Sequence, residues 1–304
     1  MTALTHDRPL VGVALMLGFC AVIPLSDALA KLLGDRIGLL QLVLIRFVAQ
    51  AVLLVPAALV AGATLFPSPR AAWLTVLRTL LLIAGIATMF TALRVLPLAD
   101  AVAIAFVLPF LMLLLGRVVL GEVVGPRRLL ACAVGFLGTL MVIQPSFADV
   151  GWPTLLPLLV AVIFAAFTIT TRTLSREMGP VAMQAASALL ALPALAALAT
   201  LPVPGEPAPT RLVWPEGVDL WLWLALGVSG ALAHLMLTAS LRFAPTTTIA
   251  PMHYLEIPFA VLLGWIFFAD IPGPMAAAGI ILTMAAGLYI VARERAVSRR
   301  RAAA

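Results

Sequence analysis

The sequence predicts an all-α membrane protein: ten transmembrane helices in two inverted five-helix repeats. Three observations carry this expectation. The 304 residues are 63% hydrophobic and 11% charged, with a mean hydropathy of +1.16, whereas a soluble domain is about 25% charged. Apolar runs long enough to cross a bilayer, about 20 residues each, follow one another along the chain. The second half then repeats landmarks of the first after an odd number of helices.

The expected spans run near 9–33, 38–61, 71–94, 97–119, 126–145, 151–174, 179–201, 217–242, 245–268 and 273–292. Helix-breaking punctuation separates them: Gly34-Asp35-Arg36, Pro67-Ser68-Pro69, Pro97, Gly125-Pro126, Gly151-Trp152-Pro153, Gly179-Pro180, Pro245 and Pro272-Gly273-Pro274. The first span imitates a signal peptide, with Arg8, an apolar run and Ala28-Leu29-Ala30. Its apolar run exceeds a usual h-region, and its removal would spoil the internal symmetry, so retention is expected. The loop 202–216, with Glu206, Arg211 and Glu216, reads as a polar surface connector. Cys20 and Cys132 fall inside apolar spans and read as packing thiols, without disulfide or metal spacing.

Basic residues set the expected orientation. Roughly thirteen, including Arg8, Arg70, Arg117, Arg172, Arg242 and the Arg299–Arg301 cluster, fall on the side of the N-terminus. Roughly four, namely Lys31, Arg36, Arg94 and Arg211, fall on the other. Both termini are therefore expected on the cytoplasmic side. The basic tail reads as a topology anchor against anionic lipid, not as a nucleic-acid surface.

The repeat sets Ala92-Leu93-Arg94-Val95-Leu96-Pro97 against Ser240-Leu241-Arg242-Phe243-Ala244-Pro245. The same register pairs Phe106 with Tyr254, Gly121-Glu122 with Ala269-Asp270 and Pro126 with Pro274. Pro109 and Pro258 match after a one-residue slip. Expected units are 1–148, 149–293 and a basic tail, 294–304. Five intervening helices place the copies upside down relative to each other. Inverted repeats of this kind characterise alternating-access transporters, which bind cargo near mid-membrane.

Together with Arg46-Phe47, Pro109, Gly135-x-x-Gly138 and Gly279 to Gly287, these landmarks resemble the drug/metabolite transporter superfamily in its ten-helix, EamA-type form. The resemblance covers nearly the whole chain. It implies a cytoplasmic-membrane carrier with a central cavity and a small-metabolite cargo, amino-acid export being the best-known activity. Asp270 departs from the usual Glu.

The stretch Pro245–Phe268 carries His253, Tyr254 and Glu256 between Pro251 and Pro258. Ionisable groups at that depth are costly and mark pathways. His253 and Glu256 share a helical face, and His234 in the preceding span falls at similar depth. These groups fit a cavity lining or a structural pair; a metal lacks its ligand spacing. As a lining they can bind substrate or relay protons. Asp27 and Arg46 fit an ion pair or gate. Arg78 either snorkels to lipid or enters the inner vestibule. Phe90, Phe106, Phe164, Phe167, Tyr254 and Thr168 are deep enough to line the cavity. Asp100 complements a helix dipole, while Glu122 and Asp270 read as structural acids at helix ends. Small-residue stripes, Gly135/Gly138 and Gly279/Thr283/Gly287, serve either the fold or a dimer.

The expected function is a secondary transporter exporting amino acids or similar metabolites. The alternatives are uptake of a nucleoside- or vitamin-like compound, drug efflux and, more remotely, a membrane enzyme or sensor. No Walker A motif points to direct ATP use, no catalytic motif points to an enzyme, and no cofactor is expected. Partners are a small-molecule substrate, lipid and, in a coupled carrier, protons; monomer and dimer both fit.

Overall fold

The computed structural model describes residues 9–121, 125–199 and 212–302. Arg8, Glu122, Glu206 and Arg211 lie outside them. Every regular element among the described residues is helical. The α-helices are α1 (Pro9–Leu33), α2 (Leu39–Val60), α3 (Pro69–Leu93), α4 (Leu98–Ala105), α5 (Leu108–Leu120) and α6 (Pro126–Val150). They continue with α7 (Leu156–Leu174), α8 (Pro180–Ala199), α9 (Val218–Phe243), α10 (Thr246–Ile249), α11 (Glu256–Phe268) and α12 (Pro274–Ala302). Short 3₁₀ segments cover Trp152–Leu155 and Ala250–Leu255.

Eight helical stretches are long and apolar enough to cross a membrane: Leu10–Leu33, Leu39–Val60, Pro69–Leu93, Leu98–Leu120, Trp152–Leu174, Pro180–Ala199, Val218–Phe243 and Thr246–Phe268. Shorter apolar stretches, Leu129–Val142 and Pro274–Tyr289, lie within α6 and α12, where the fifth and tenth spans are expected.

Two of the eight are broken in mid-course. Leu98–Leu120 is interrupted at Phe106-Val107, just before Pro109. Proline has no N–H, so the carbonyl four residues earlier, that of Ala105, loses its helical donor. Thr246–Phe268 tightens into the 3₁₀ segment Ala250–Leu255, which contains Pro251 and precedes Pro258. A 3₁₀ interruption inside a helix often marks a hinge. The two breaks meet in space, with the Phe106 and Tyr254 ring centroids 5.6 Å apart. The pieces beyond each break end alike, in left-handed backbone: Gly121 at φ 66° and Ala269 at φ 54°.

Other helix ends have local causes. Ser68 caps α3 by accepting from the Ala71 amide at 3.0 Å, and Pro69 fills the first turn, where its missing N–H costs nothing. Arg172 donates to the Leu241 carbonyl at 2.5 Å at the end of α9, a favourable place for a cation. Lys31, near the end of α1, donates to the Leu96 carbonyl at 2.6 Å and lies 3.7 Å from Asp270 and 5.0 Å from the Phe268 ring centroid. Asp270 thus faces a lysine rather than the start of α12.

The most extensive packing pairs α1 with α9, α3 with α7, α2 with α8 and α6 with α12. The last pair settles the small-residue stripes in favour of the fold. A Cβ on Gly138 would lie 2.6 Å from the Gly279 carbonyl oxygen and 2.9 Å from Thr283 Cγ2. Large apolar side chains such as Val52, Leu59, Val118, Leu130 and Ile266 point outward, while Arg46, Arg78, Gln184 and His234 are buried. Trp73, Trp152, Trp214, Trp221 and Trp265 are exposed, and Trp223 packs against Trp214.

Candidate functional site

A small cavity of about 70 Å³ lies where α1, α2, α3, α4, α7, α9 and the broken Thr246–Phe268 span converge. Its walls are apolar and aromatic, with Phe19, Phe90, Phe106 and Phe164 among them. Five ionisable side chains also border it: Asp27, Arg46, His234, His253 and Glu256. A larger groove of about 430 Å³ outside α1 and α9 is bordered by Leu10, Val11, Ala14, Leu15, Gly18 and Met236 alone. Without a polar group to orient a ligand, it is a poor site.

Arg46 enters from α2 and is 3% exposed. It donates to Ser26 Oγ at 3.2 Å and to His234 Nδ1 at 2.9 Å, and its guanidinium carbon stands 5.5 Å from the Phe90 ring centroid. Gly230, one turn from His234 on α9, makes room for it: a Cβ there would sit 2.5 Å from Arg46 Nε. The gap that Gly230 leaves on α9 is thus filled by an arginine from α2. The His234 ring is surrounded by Phe19, Phe164 and Phe167, at centroid distances of 6.4, 6.1 and 6.2 Å.

Across the cavity, His253 Nδ1 stands 2.5 Å from Glu256 Oε1. This confirms the shared face expected from their spacing, although the backbone between them leaves 3₁₀ for α geometry at Glu256. Asp27 borders the same cavity, yet no hydrogen bond or ion pair holds it among the described residues. Arg46 turns instead to Ser26, the neighbour of Asp27, and to His234.

The remaining expected residues separate. Phe90 and Phe106 border the cavity. Tyr254 is fully buried behind it, against Phe106 and in the space a Cβ on Gly135 would need. Thr168 is buried within α7 and does not border the cavity. Arg78 is fully buried in a separate cluster, meeting neither lipid nor the cavity. Its guanidinium donates to Thr171 (3.0 Å), Ser187 (2.6 Å), Gln184 (3.1 Å) and Thr238 (3.0 Å), and lies 4.7 Å from the Phe167 ring centroid. It joins α3 to α7, α8 and α9 through neutral acceptors only.

Phe19, Ile23 and Ser26 were not anticipated. Phe19, Ile23 and Asp27 are spaced i, i+4, i+8, which marks one face of α1. That spacing, extended back from Asp27, is the signal that would have found Phe19 and Ile23; Ser26 lies beside it.

A polytopic helical bundle enclosing charged groups within aromatic walls defines a membrane transporter. The chain belongs to the EamA-like transporter family, which it matches over residues 10–144 and 151–292. It is 31% identical over 222 residues to a riboflavin transporter of Rhizobium johnstonii, covering 73% of this chain and 71% of that one. It is 26% identical over 276 residues to an S-adenosylmethionine uptake transporter of Rickettsia felis, covering 90% of each. A pseudopaline exporter of Pseudomonas aeruginosa is 28% identical over 215 residues, covering 69% of each. A solved crystal structure shares the fold at a TM-score of 0.69 and 21% identity, covering 93% of this chain and 98% of the other.

Proposed function

We propose that this chain is a ten-crossing secondary carrier of the bacterial inner membrane, with both termini cytoplasmic. It takes up a planar, nitrogen-heterocyclic metabolite of the vitamin or nucleoside class by alternating access. The central cavity carries this reading. Phenylalanine faces suit a flat ring system, and a few fixed polar groups give it orientation. The unpaired Asp27 carboxylate is available to hydroxyls or to a cation on the cargo.

The helix pairing supports the inverted repeat. Exchanging the halves converts the α1–α9 contact into the α7–α3 contact and maps the α2–α8 and α6–α12 contacts onto themselves. The two broken spans exchange likewise, meeting at Phe106 and Tyr254. Both α6 and α12 are at least 25 residues long, enough to supply the ninth and tenth crossings.

The cavity volume supports a moving carrier. About 70 Å³ is far below the roughly 300–1,000 Å³ of ligand pockets. Cargo therefore enters only when the walls part, and the interrupted helices are the elements suited to that motion.

Cargo and direction draw on the relatives. Riboflavin and S-adenosylmethionine both contain flat nitrogen heterocycles, and the Rickettsia relative is an uptake transporter. Amino-acid export, the leading expectation from sequence, gives way to uptake because none of the relatives described above is named for an amino acid. The Pseudomonas exporter favours outward flux as the second reading. Proteoliposomes given labelled riboflavin, S-adenosylmethionine or leucine test the proposal. Saturable, counterflow-stimulated uptake of one of the first two supports it; leucine flux alone, or no flux, overturns it.

A further inference from the structure

Both histidines of the cavity leave one ring nitrogen unused. His234 and His253 are 2% and 3% exposed, and neither Nε2 has a hydrogen-bond partner. A buried polar nitrogen without a partner is costly, and two around one cavity point to a ligand that supplies both.

Their neighbours fix the polarity of each. Guanidinium has only donors. With Arg46 Nη2 at 2.9 Å, His234 Nδ1 must be the accepting nitrogen. The Gly230 carbonyl, 3.1 Å from the same atom, cannot also be served, because a proton on Nδ1 would meet the arginine proton head-on. A neutral imidazole that accepts at one nitrogen donates at the other, so His234 offers Nε2–H. His253 is held in the opposite sense. Its Nδ1 faces the Glu256 carboxylate, which only accepts. In the neutral ring the proton therefore sits on Nδ1, and Nε2 is bare and accepting.

Resting on the carrier reading above, we propose that His234 and His253 form the specificity-determining pair for the cargo's heterocycle. His234 Nε2–H donates to a ring carbonyl or ring nitrogen, and His253 Nε2 accepts from a ring or amino N–H of the same molecule. Both imidazoles stand edge-on to Phe19, at 6.4 and 5.6 Å between centroids, so one planar ligand lying beside that ring reaches both. The matching chemistry is a lactam, imide or amidine edge, which presents a donor and an acceptor together. A carboxylate, which only accepts, satisfies His234 and leaves His253 unserved.

The test uses the full-length carrier in proteoliposomes and labelled riboflavin or S-adenosylmethionine, whichever it transports. Unlabelled competitors are lumiflavin against 3-methyllumiflavin, and adenosine against N6,N6-dimethyladenosine. In each pair methylation removes the N–H and keeps the ring. The expected result is at least a tenfold weaker inhibition by the methylated partner in wild type, a preference that His253→Ala abolishes. His234→Gln, which keeps a donor, retains the preference, and His234→Leu weakens inhibition by both partners equally. Flux with equal inhibition within each pair overturns the polarity assignment and leaves the carrier reading standing. Loss of flux in the variants is resolved by competitor-induced thermal shifts on the purified proteins, where the same preference must appear. Absence of flux for both labelled compounds overturns both readings.

Discussion

Gly230 and Arg46 are matched in shape across two helices: the guanidinium occupies the volume that any side chain at 230 would take. Replacing Gly230 with Ala brings Cβ to 2.5 Å from Nε and 2.7 Å from Cζ. These atoms are the far end of a flexible side chain, so the fold can adapt while Arg46 leaves His234. A hydrogen bond to a charged group contributes about 1.5–3 kcal/mol. Gly230→Ala is expected to lower transport about tenfold or more at unchanged membrane abundance, measured as initial uptake rate per milligram of protein.

Asp27 makes the converse case. It borders the cavity without a hydrogen bond or ion pair among the described residues, its attraction to the Arg46 guanidinium acting through space, so neutralising it breaks no direct contact. Asp27→Asn is expected to leave the melting temperature within the range of neutral surface changes, about 0.5 kcal/mol, and to reduce flux. A large drop in melting temperature would show that the carboxylate is structural.

Arg78 ties four helices through four hydrogen bonds to neutral acceptors. Lysine lacks the planar fork and cannot reach all of them. Arg78→Lys is expected to destabilise the detergent-solubilised protein by about 3 kcal/mol. Thermal unfolding followed by size-exclusion chromatography reads this directly.

The α6–α12 crossing tolerates no added methyl. At Gly138 the obstruction is the Gly279 carbonyl, which is backbone and cannot swing away. Overpacking of this kind costs about 1–3 kcal/mol. Gly138→Ala should therefore lower the melting temperature, whereas Gly38→Ala, where nothing lies within 4 Å, should not.

Ala269 ends α11 with φ 54°, the conformation that Gly121 adopts at the end of α5. Glycine meets no Cβ penalty there. Ala269→Gly is expected to stabilise the protein by up to about 1 kcal/mol, a rise in melting temperature without change in flux.

The course of the chain was legible because span length, proline position and hydropathy act locally. The interruption near Pro251 and Pro258 follows from missing amide protons, which sequence displays. Rotation of each helix about its axis was harder to read. Asp27 and Arg46, which fit an ion pair by sequence, both border the cavity. Ser26, about a quarter turn away, is the residue that bonds the guanidinium. Depth along a helix follows from counting residues; azimuth depends on which other helices pack against it, and these are mostly distant in sequence. Arg78 shows the same limit. Nothing local announces that Thr171, Ser187, Gln184 and Thr238 converge on it, and so neither expected place, the lipid surface or the inner vestibule, is where it lies.

The sequence contains a single lysine side chain, Lys31, and it clasps Leu96 and Asp270 at one end of the bundle. Amine-directed chemistry therefore has one internal address on this polypeptide. A fluorophore or isotope tag placed there would be consumed slowly while that clasp is shut and quickly whenever it parts. Labelling kinetics can thus time the excursions of that end of the bundle without an engineered handle.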